Sequence, residues 1–213
     1  MDVDWEFVLT ILAVLVPSVI LHEVSHGVVA NHFGDDTAKR AGRLTLNPLP
    51  HIDPFGTVIL PIILSLSGFG AFGFAKPVPV TVNKLRNPRQ HSLYVSLVGP
   101  AVNIVIAVSA AVVLRVFFSE EVDGFRFLPD GGAVRALYYL GIINVILAAF
   151  NLIPLPPLDG SAVVERLLPA SWWPTWLKVR QWSMGVLILL VLVVPSALDR
   201  VFGPAIDLWG QLL

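Results

Sequence analysis

The chain has 213 residues, of which 55% are hydrophobic and only 14% are charged, and its formal net charge at pH 7 is −1. Soluble domains average about 45–50% apolar and about 25% charged residues, so this composition predicts a polytopic membrane protein. The near-neutral charge excludes a basic nucleic-acid-binding module, and the lack of cysteine excludes disulfides, thiol chemistry and thiolate zinc sites.

Five apolar runs follow one another along the chain, at residues 7–30, 55–74, 92–118, 134–153 and 182–194. About 20 residues cross the hydrocarbon core, so the first, third and fourth runs predict spanning helices. The acidic N-terminus differs from a secretory signal, and we expect the first run to be retained as a helix. The second run contains Pro61 and four glycines from Gly56 to Gly73, which predict a short or broken helix. Residues 201–213 predict an interfacial helix or half of a further span.

The charges of the loops predict the orientation of the helices. Residues 31–55 and 75–91 are rich in Lys and Arg, whereas residues 119–133 are rich in Asp and Glu. The positive-inside rule therefore places the first two loops in the cytoplasm and the third loop and the N-terminus outside. Both flanks of the second run then lie on one side, so this run is predicted to enter the membrane and return. An ordinary span with a weak charge bias is the alternative.

Two short β-branched stretches, residues 45–46 and 78–82, are flanked by prolines and predict a small β-sheet at the cytoplasmic mouth. Trp172, Trp173 and Trp176 predict an interfacial belt before the fifth run. The predicted fold is an all-α polytopic helical bundle with a re-entrant or short extra segment and this small sheet.

His22, Glu23 and His26 form an HEXXH motif inside the first apolar run. On a helix, residues i and i+4 lie about 40° apart and one turn apart, so both imidazoles can reach one metal ion. Glu23 lies near that ion but is free to act as a base toward water. Ionisable residues are costly inside a membrane, and three together predict a functional site with Zn²⁺ as the balancing charge.

A catalytic zinc ion normally has three protein ligands, so a third ligand must come from elsewhere in the chain. Asp159 is the only acidic residue between Asp130 and Glu165, and it follows the prolines after the fourth run. By residue chemistry alone, Asp159-Gly160 is more often an ordinary turn.

The structural alternative for the whole HEXXH cluster is that its side chains reach the membrane interface or pair with another helix.

The HEXXH motif, combined with Asn-Leu-Ile-Pro-Leu-Pro-Pro-Leu-Asp-Gly after a later helix, resembles the site-2 protease family of intramembrane zinc metalloproteases. Stretches resembling its compact bacterial and archaeal branch, which has no extra domains, lie at residues 42–48, 51–54, 75–79 and 99–103. The resemblance implies one membrane-embedded domain over residues 1–213. Its catalytic core would cover about residues 5–165, with the first, third and fourth runs as a three-helix centre, and C-terminal helices would cover about 166–213.

The resemblance also implies the catalytic roles. His22, His26 and Asp159 would bind one Zn²⁺ per chain. Glu23 would be the general base, and Asn151 would polarise the scissile carbonyl or stabilise its oxyanion. Apart from the family, Asn151 has an even chance of only capping backbone groups at a helix end.

Four further residues are implied in substrate binding. Lys76, Val78 and Val80 lie in the predicted sheet, whose edge would hold an extended substrate by strand addition. Asn103 lies in the Gly-Pro-Ala-Val-Asn stretch of the neighbouring helix. By residue chemistry alone, Lys76 is more often a topology charge and Asn103 is more often a polar contact between helices.

The implied function is hydrolysis of peptide bonds in or near transmembrane segments of membrane proteins. The expected location is the lipid bilayer of a prokaryotic plasma membrane, with the active site toward the cytoplasm. No nucleic-acid partner is expected, and the sequence does not determine the oligomeric state. The alternative is a metal-ion transporter or channel subunit with a His/Glu/Asp ion site. An inactive relative that serves as a scaffold is a third hypothesis, and the intact Glu23 argues against it.

Overall fold

The computed structural model describes residues 4–59, 75–122, 125–193 and 195–213. The described part is mostly helical, as predicted, with seven α-helices. They are α1 (Trp5–His32), α2 (Thr37–Arg40), α3 (Pro88–Val113), α4 (Gly132–Asn151), α5 (Ser161–Leu167), α6 (Trp173–Val193) and α7 (Pro195–Gly210). Three of the described helices are long and apolar enough to cross a membrane: α1, α4, and α3 with the π-turn that extends it to Phe118. This confirms the helices predicted in the first, third and fourth runs as candidate membrane spans.

Local capping sets both ends of α1. Asp4 precedes the helix, and its Oδ1 accepts a hydrogen bond from the N–H of Phe7 at 3.0 Å. At the other end, Gly34 has a φ of 108°, and the N–H of Asp35 donates to the carbonyl of Ala30 at 2.9 Å. This is a Schellman end, in which glycine supplies the left-handed residue. The chain therefore leaves α1 soon after the HEXXH motif.

Helices α1, α3 and α4 pack against one another, and α7 packs on α3 and α4. Trp209 of α7 is 4% exposed, and its indole N–H donates to the carbonyl of Ala107 at 2.7 Å. A Cβ at Gly141 of α4 would lie 2.0 Å from this ring, so the indole fits only because residue 141 is glycine. The C-terminal stretch, left open by the sequence as an interfacial helix or a half span, is thus a helix docked on the core.

The predicted sheet is not formed at residues 45–46 or 78–82 in the described structure, where the chain is bent or extended without a strand partner. Pro77 and Pro79 remove two of the N–H groups that a ladder would need. The two strands that the structure does describe are β1 (Glu120–Val122) and β2 (Phe125–Phe127), an antiparallel pair in the acidic loop after α3.

Two other expectations meet different outcomes. The predicted re-entrant run at 55–74 lies mostly outside the described residues. Only residues 55–59 of the run are described, and they belong to the π-turn at Pro54–Ile59. The helix predicted from the fifth apolar run is α6, and it begins at Trp173 instead of residue 182. Trp173 and Trp176 therefore lie within its first turns. Pro174 is at the second helical position, where its missing N–H costs nothing.

Candidate metal centre

His22, His26 and Asp159 meet at one point between α1 and the loop that follows α4. Nε2 of His22 lies 3.1 Å from Oδ2 of Asp159, and Nε2 of His26 lies 3.4 Å from the same oxygen. The three possible ligand atoms all lie within 4.8 Å of one another. Both histidines are buried, and the side chain of Asp159 is partly exposed although its Oδ2, which faces them, is buried.

Each imidazole is oriented through its other nitrogen. Nδ1 of His22 donates to Oδ1 of Asn103 at 2.6 Å, and Nδ1 of His26 donates to the carbonyl of Val95 at 2.6 Å. A proton on Nδ1 leaves the lone pair of each neutral imidazole on Nε2, the atom that faces Asp159. Partners of this kind fix the ring orientation of metal-binding histidines.

The donor set at this point fits a divalent cation. Oδ2 of Asp159 is buried and has no hydrogen-bond donor among the described residues, and two imidazole lone pairs face it. Three electron-pair donors at this separation need a positive charge between them. Ligands about 2.0–2.1 Å from a tetrahedral zinc ion lie roughly 3.3 Å apart, which agrees with the distances to Asp159. His22, His26 and Asp159 therefore fit three of the four positions around a tetrahedral zinc ion.

The loop after α4 carries Asp159 back to the histidines, because its two ends are tied together. The N–H of Gly160 donates to the carbonyl of Asn151 at 2.7 Å. A Cβ at Gly160 would lie 2.2 Å from the carbonyl oxygen of Leu152, so no other residue fits this closure. Within the loop, the side chains of Pro156 and Leu158 are buried. The proline-rich sequence thus forms a tight loop that presents the carboxylate.

Gly99 lets α3 approach the two histidines closely. A Cβ at this position would lie 2.5 Å from Nε2 of His26 and 2.6 Å from Cε1 of His22. The buried Pro100 follows it within α3. The Gly-Pro pair noted in the sequence thus forms one wall of the candidate metal centre.

Glu23 is bound to the main chain of a distant segment. Its Oε2 accepts a hydrogen bond from the N–H of Val78 at 2.8 Å. The side chain of Val78 is buried near Gly27, where a Cβ would lie 2.9 Å from Cγ1 of Val78. Neither contact was predicted from the sequence, which placed Val78 in a strand that binds substrate.

The extended segment at residues 76–81, here called the proline segment, is bonded to the protein at both ends. The carbonyl of Lys76 accepts from Nη2 of the buried Arg43 at 2.6 Å, and its N–H donates to the carbonyl of His51 at 2.9 Å. The N–H of Thr81 donates to Oδ2 of Asp35 at 2.5 Å. Side chains and loop carbonyls replace a strand partner here.

Asp35 is buried, and its carboxylate also accepts hydrogen bonds from the N–H and the hydroxyl of Thr37. Burial raises the pKa of Asp35, but the bonds from Thr37 and from the N–H of Thr81 outweigh this effect. The pKa of this carboxyl therefore lies below its usual value. Asp35 joins the end of α1 to the proline segment as an anion.

The hydrogen bonds that the structure describes for Asn103 and Asn151 are made within the protein, and their implied roles toward substrate stay predictions. Asn103 is fully buried behind His22, where no substrate reaches it without a structural change. Nδ2 of Asn151 donates to the carbonyl of Leu147 in its own helix at 2.9 Å. Lys76 is exposed and Val80 is partly exposed in the proline segment. Asn103 thus contacts one of the predicted metal ligands, His22, through a hydrogen bond.

Sequence reasoning missed Ser18, Asn144 and Gly99. Ser18 and Asn144 are buried polar residues in helices predicted to span, and polar residues in such helices mark functional or packing contacts. That signal was available, but nothing in the sequence specified that they contact each other. Gly99 was noted only as part of a family stretch.

Comparisons with known proteins identify the family of this chain. Residues 10–194 match the profile of peptidase family M50. YwhC of Bacillus subtilis, named as a candidate zinc metalloprotease, is 34% identical over 194 residues, which cover 91% of this chain and 84% of YwhC. Rip2 of Mycolicibacterium smegmatis, named in the same way, is 33% identical over 196 residues, covering 92% and 70%. The solved site-2 protease of Methanocaldococcus jannaschii is 19% identical, with a TM-score of 0.44 over 99% of this chain and 78% of that chain.

Proposed function

This chain belongs to peptidase family M50, the site-2 protease family, and is a membrane-embedded zinc metalloprotease, and on this premise we propose which residues carry the reaction. His22, His26 and Asp159 hold the Zn²⁺ ion. The observation that carries this assignment is the meeting of their ligand atoms within 4.8 Å at the end of a tied loop. When bound, Zn²⁺ acts as a Lewis acid and makes water a nucleophile at neutral pH.

Glu23 is the general base in this proposal. It follows His22 on α1, and one of its oxygens is held by the N–H of Val78 at 2.8 Å. That bond fixes the carboxylate, and the second oxygen takes the proton from the attacking water and passes it to the leaving amine. A positioned base of this kind contributes about 10²–10⁴-fold to the rate.

Asn151 is proposed to donate to the oxyanion that forms on the scissile carbonyl. Its Nδ2 uses one proton for the carbonyl of Leu147, and a second proton remains for this role. Its main chain has a further function, since its carbonyl closes the loop that carries Asp159.

The proline segment is proposed to receive the substrate, a membrane protein cleaved in or near a transmembrane segment. A peptide bond inside a helix is shielded, so the substrate must unwind and present an extended chain. Pro77 and Pro79 have no N–H, so at these positions the segment offers only carbonyls, which accept from the substrate main chain. Lys76 and Val80, which retain exposed surface, are the side chains that contact substrate, whereas Val78 acts through its main chain.

We infer that the active site faces the cytoplasm of a prokaryotic cell. With the N-terminus outside, α1 advances about 25 Å from Trp5 to His22 at 1.5 Å per residue, which places the metal centre in the cytoplasmic third of the bilayer. The basic residues of the loops after α1 and before α3 support the same orientation.

Substitution of the base separates metal binding from catalysis. In the detergent-purified chain, we expect Glu23→Gln to retain one zinc ion, measured by elemental analysis, and to lose at least 100-fold in cleavage of a labelled transmembrane peptide. Glu6→Gln is the matched control on α1, because Glu6 lies far from the site. Its Oε1 pairs with Nη2 of Arg135 at 2.6 Å. His22→Ala and Asp159→Ala should both lose zinc.

Full activity of Glu23→Gln would remove the base assignment, and stoichiometric zinc in Asp159→Ala would remove the third ligand. The transporter alternative is not favoured by the family, and it predicts zinc uptake into liposomes that contain the protein. We expect chelation of zinc to stop peptide cleavage and these liposomes to take up no metal.

A further inference from the structure

Three buried polar side chains connect His22 to the interior of the helical core. Ser18 of α1 is 1% exposed, and Asn103 of α3 and Asn144 of α4 are 0% exposed. We call these three residues the polar network. The distances along it are 2.6 Å from His22 Nδ1 to Asn103 Oδ1, 2.6 Å from Asn103 Nδ2 to Asn144 Oδ1, and 2.8 Å from Asn144 Nδ2 to Ser18 Oγ. The network crosses all three helices of the core.

Two backbone carbonyls at its far end fix the direction of every hydrogen bond. A carbonyl oxygen only accepts, so the hydroxyl of Ser18 donates its one proton to the carbonyl of Val14 at 2.6 Å. Ser18 must then accept from Asn144, whose other amide proton goes to the carbonyl of Leu140 at 2.8 Å. Because both protons of Nδ2 are used, Asn144 presents its oxygen to Asn103.

The same constraint extends to the imidazole. Asn103 donates from Nδ2 to Asn144, so its Oδ1 is the atom that faces Nδ1 of His22. An oxygen in that place requires the proton of the imidazole on Nδ1. The lone pair of His22 is then on Nε2, 3.1 Å from Oδ2 of Asp159.

We propose that Asn144 and Ser18 are positioning residues for His22, which through Asn103 set the tautomer and ring orientation in which Nε2 binds zinc. The proposal rests on the proposed function, in which His22 is a zinc ligand. Neither Asn144 nor Ser18 is a catalytic residue, since each acts through its neighbour. The arrangement follows from the carbonyls of Val14 and Leu140, which only accept and so fix which atom of Asn144 faces Asn103.

The two histidines therefore differ in how they are oriented. Nδ1 of His26 bonds directly to a backbone carbonyl, that of Val95, which no side-chain substitution removes. His22 depends on three side chains from three helices. Loss of a partner behind a metal-binding histidine typically weakens metal affinity 10–100-fold. Changes in the polar network should therefore weaken zinc binding without removing either histidine.

The test compares two buried serines. Ser18 and Ser183 both donate to a carbonyl in their own helix, and Ser183 is 3% exposed with its hydroxyl 2.9 Å from the carbonyl of Arg180. Only Ser18 also accepts from Asn144. The zinc dissociation constant of the whole chain in detergent is measured by competition with a chelator, together with the melting temperature of the metal-free protein.

We expect Ser18→Ala to weaken zinc binding about 3–10-fold and Asn144→Ala about 10–100-fold. Ser183→Ala should leave the zinc dissociation constant unchanged although it also removes a buried hydroxyl. Ser18→Thr keeps the hydroxyl and its bond to the preceding turn, and it should restore zinc affinity to within about twofold of wild type. If Ser18 and Asn144 had a purely structural role, Ser18→Ala and Asn144→Ala would change the melting temperature, and both would bind zinc as tightly as wild type.

The outcomes separate this proposal from the proposed function. If Ser18→Ala and Asn144→Ala bind zinc as tightly as wild type while His22→Ala loses the metal, the positioning role is refuted and the metal site stands. If His22→Ala itself keeps stoichiometric zinc, both proposals fail. If Asn144→Ala does not fold, Ser18→Ala and Ser18→Thr, which change few atoms, decide the question.

Discussion

Replacement of Gly99 by alanine places a methyl group inside the metal centre. The added Cβ would lie 2.5 Å from Nε2 of His26 and 2.6 Å from Cε1 of His22, whereas nonbonded atoms rest about 3.5–4.0 Å apart. The imidazoles and the methyl group must therefore separate by about 1 Å. The rings cannot turn freely, since each Nδ1 is held by a 2.6 Å hydrogen bond to Asn103 or Val95. Separation of α3 from α1, or loss of a ring orientation, follows.

We expect Gly99→Ala to lower the free energy of unfolding only slightly and to weaken zinc affinity strongly. Alanine gains about 1 kcal/mol of helix propensity over glycine, while overpacking costs about 1–3 kcal/mol. The net loss of about 0–2 kcal/mol lowers the melting temperature of the metal-free protein by only a few degrees. Displacement of both ligand nitrogens should weaken zinc affinity by at least about 10-fold, with a matching loss of cleavage.

The assay measures zinc affinity by chelator competition and cleavage of a labelled transmembrane peptide. Gly185→Ala is the matched control, because a Cβ at that helical position has no neighbour within 4 Å among the described residues. This control should bind zinc and cleave as wild type does. Wild-type zinc affinity in Gly99→Ala would refute the reasoning, because it would show that α3 does not pack against the histidines as described.

Two further predictions concern the cytoplasmic loops and the orientation. The lowered pKa of Asp35 means that its carboxylate stabilises the fold above its unfolded-state pKa, and this contribution is lost as pH falls through the folded value. We therefore expect the melting temperature of Asp35→Asn, measured from pH 7 to pH 3, to be lower than that of wild type at pH 7 and to fall less below about pH 5; parallel curves would contradict this. Single cysteines at Lys84 and Asp130, labelled with a membrane-impermeant reagent, should react from opposite sides of the membrane, and labelling from one side would overturn the topology.

Much of the architecture was predictable because it depends on local sequence. Hydropathy located α1, α3 and α4, since a helix must satisfy its own backbone in lipid and needs about 20 apolar residues to cross. The spacing of His22 and His26 was equally local, because one turn of helix places both imidazoles on one face. Asp159 was found only through the family motif, since the residues alone favoured a turn.

The start of α6 and the proline segment show where local patterns were insufficient. The tryptophans before the fifth apolar run were interpreted as a belt, yet Pro174 allowed the helix to begin among them. The β-branched residues at 78–82 predicted a strand, but a strand also needs a partner. The N–H groups of Val78 and Thr81 found Glu23 and Asp35 instead.

The sequence by itself determined which segments are apolar, where along the chain the three long apolar helices lie, and which residues can bind a metal ion, because these depend on neighbours within a few positions along the chain. Only the tertiary structure decided that Glu23 is held by Val78, that Gly99 is a wall of the centre, and that Ser18 and Asn144 orient His22. These contacts join residues 55 to 126 positions apart. They form because tertiary packing buries these polar groups, and a buried donor needs an acceptor that can lie far away along the chain.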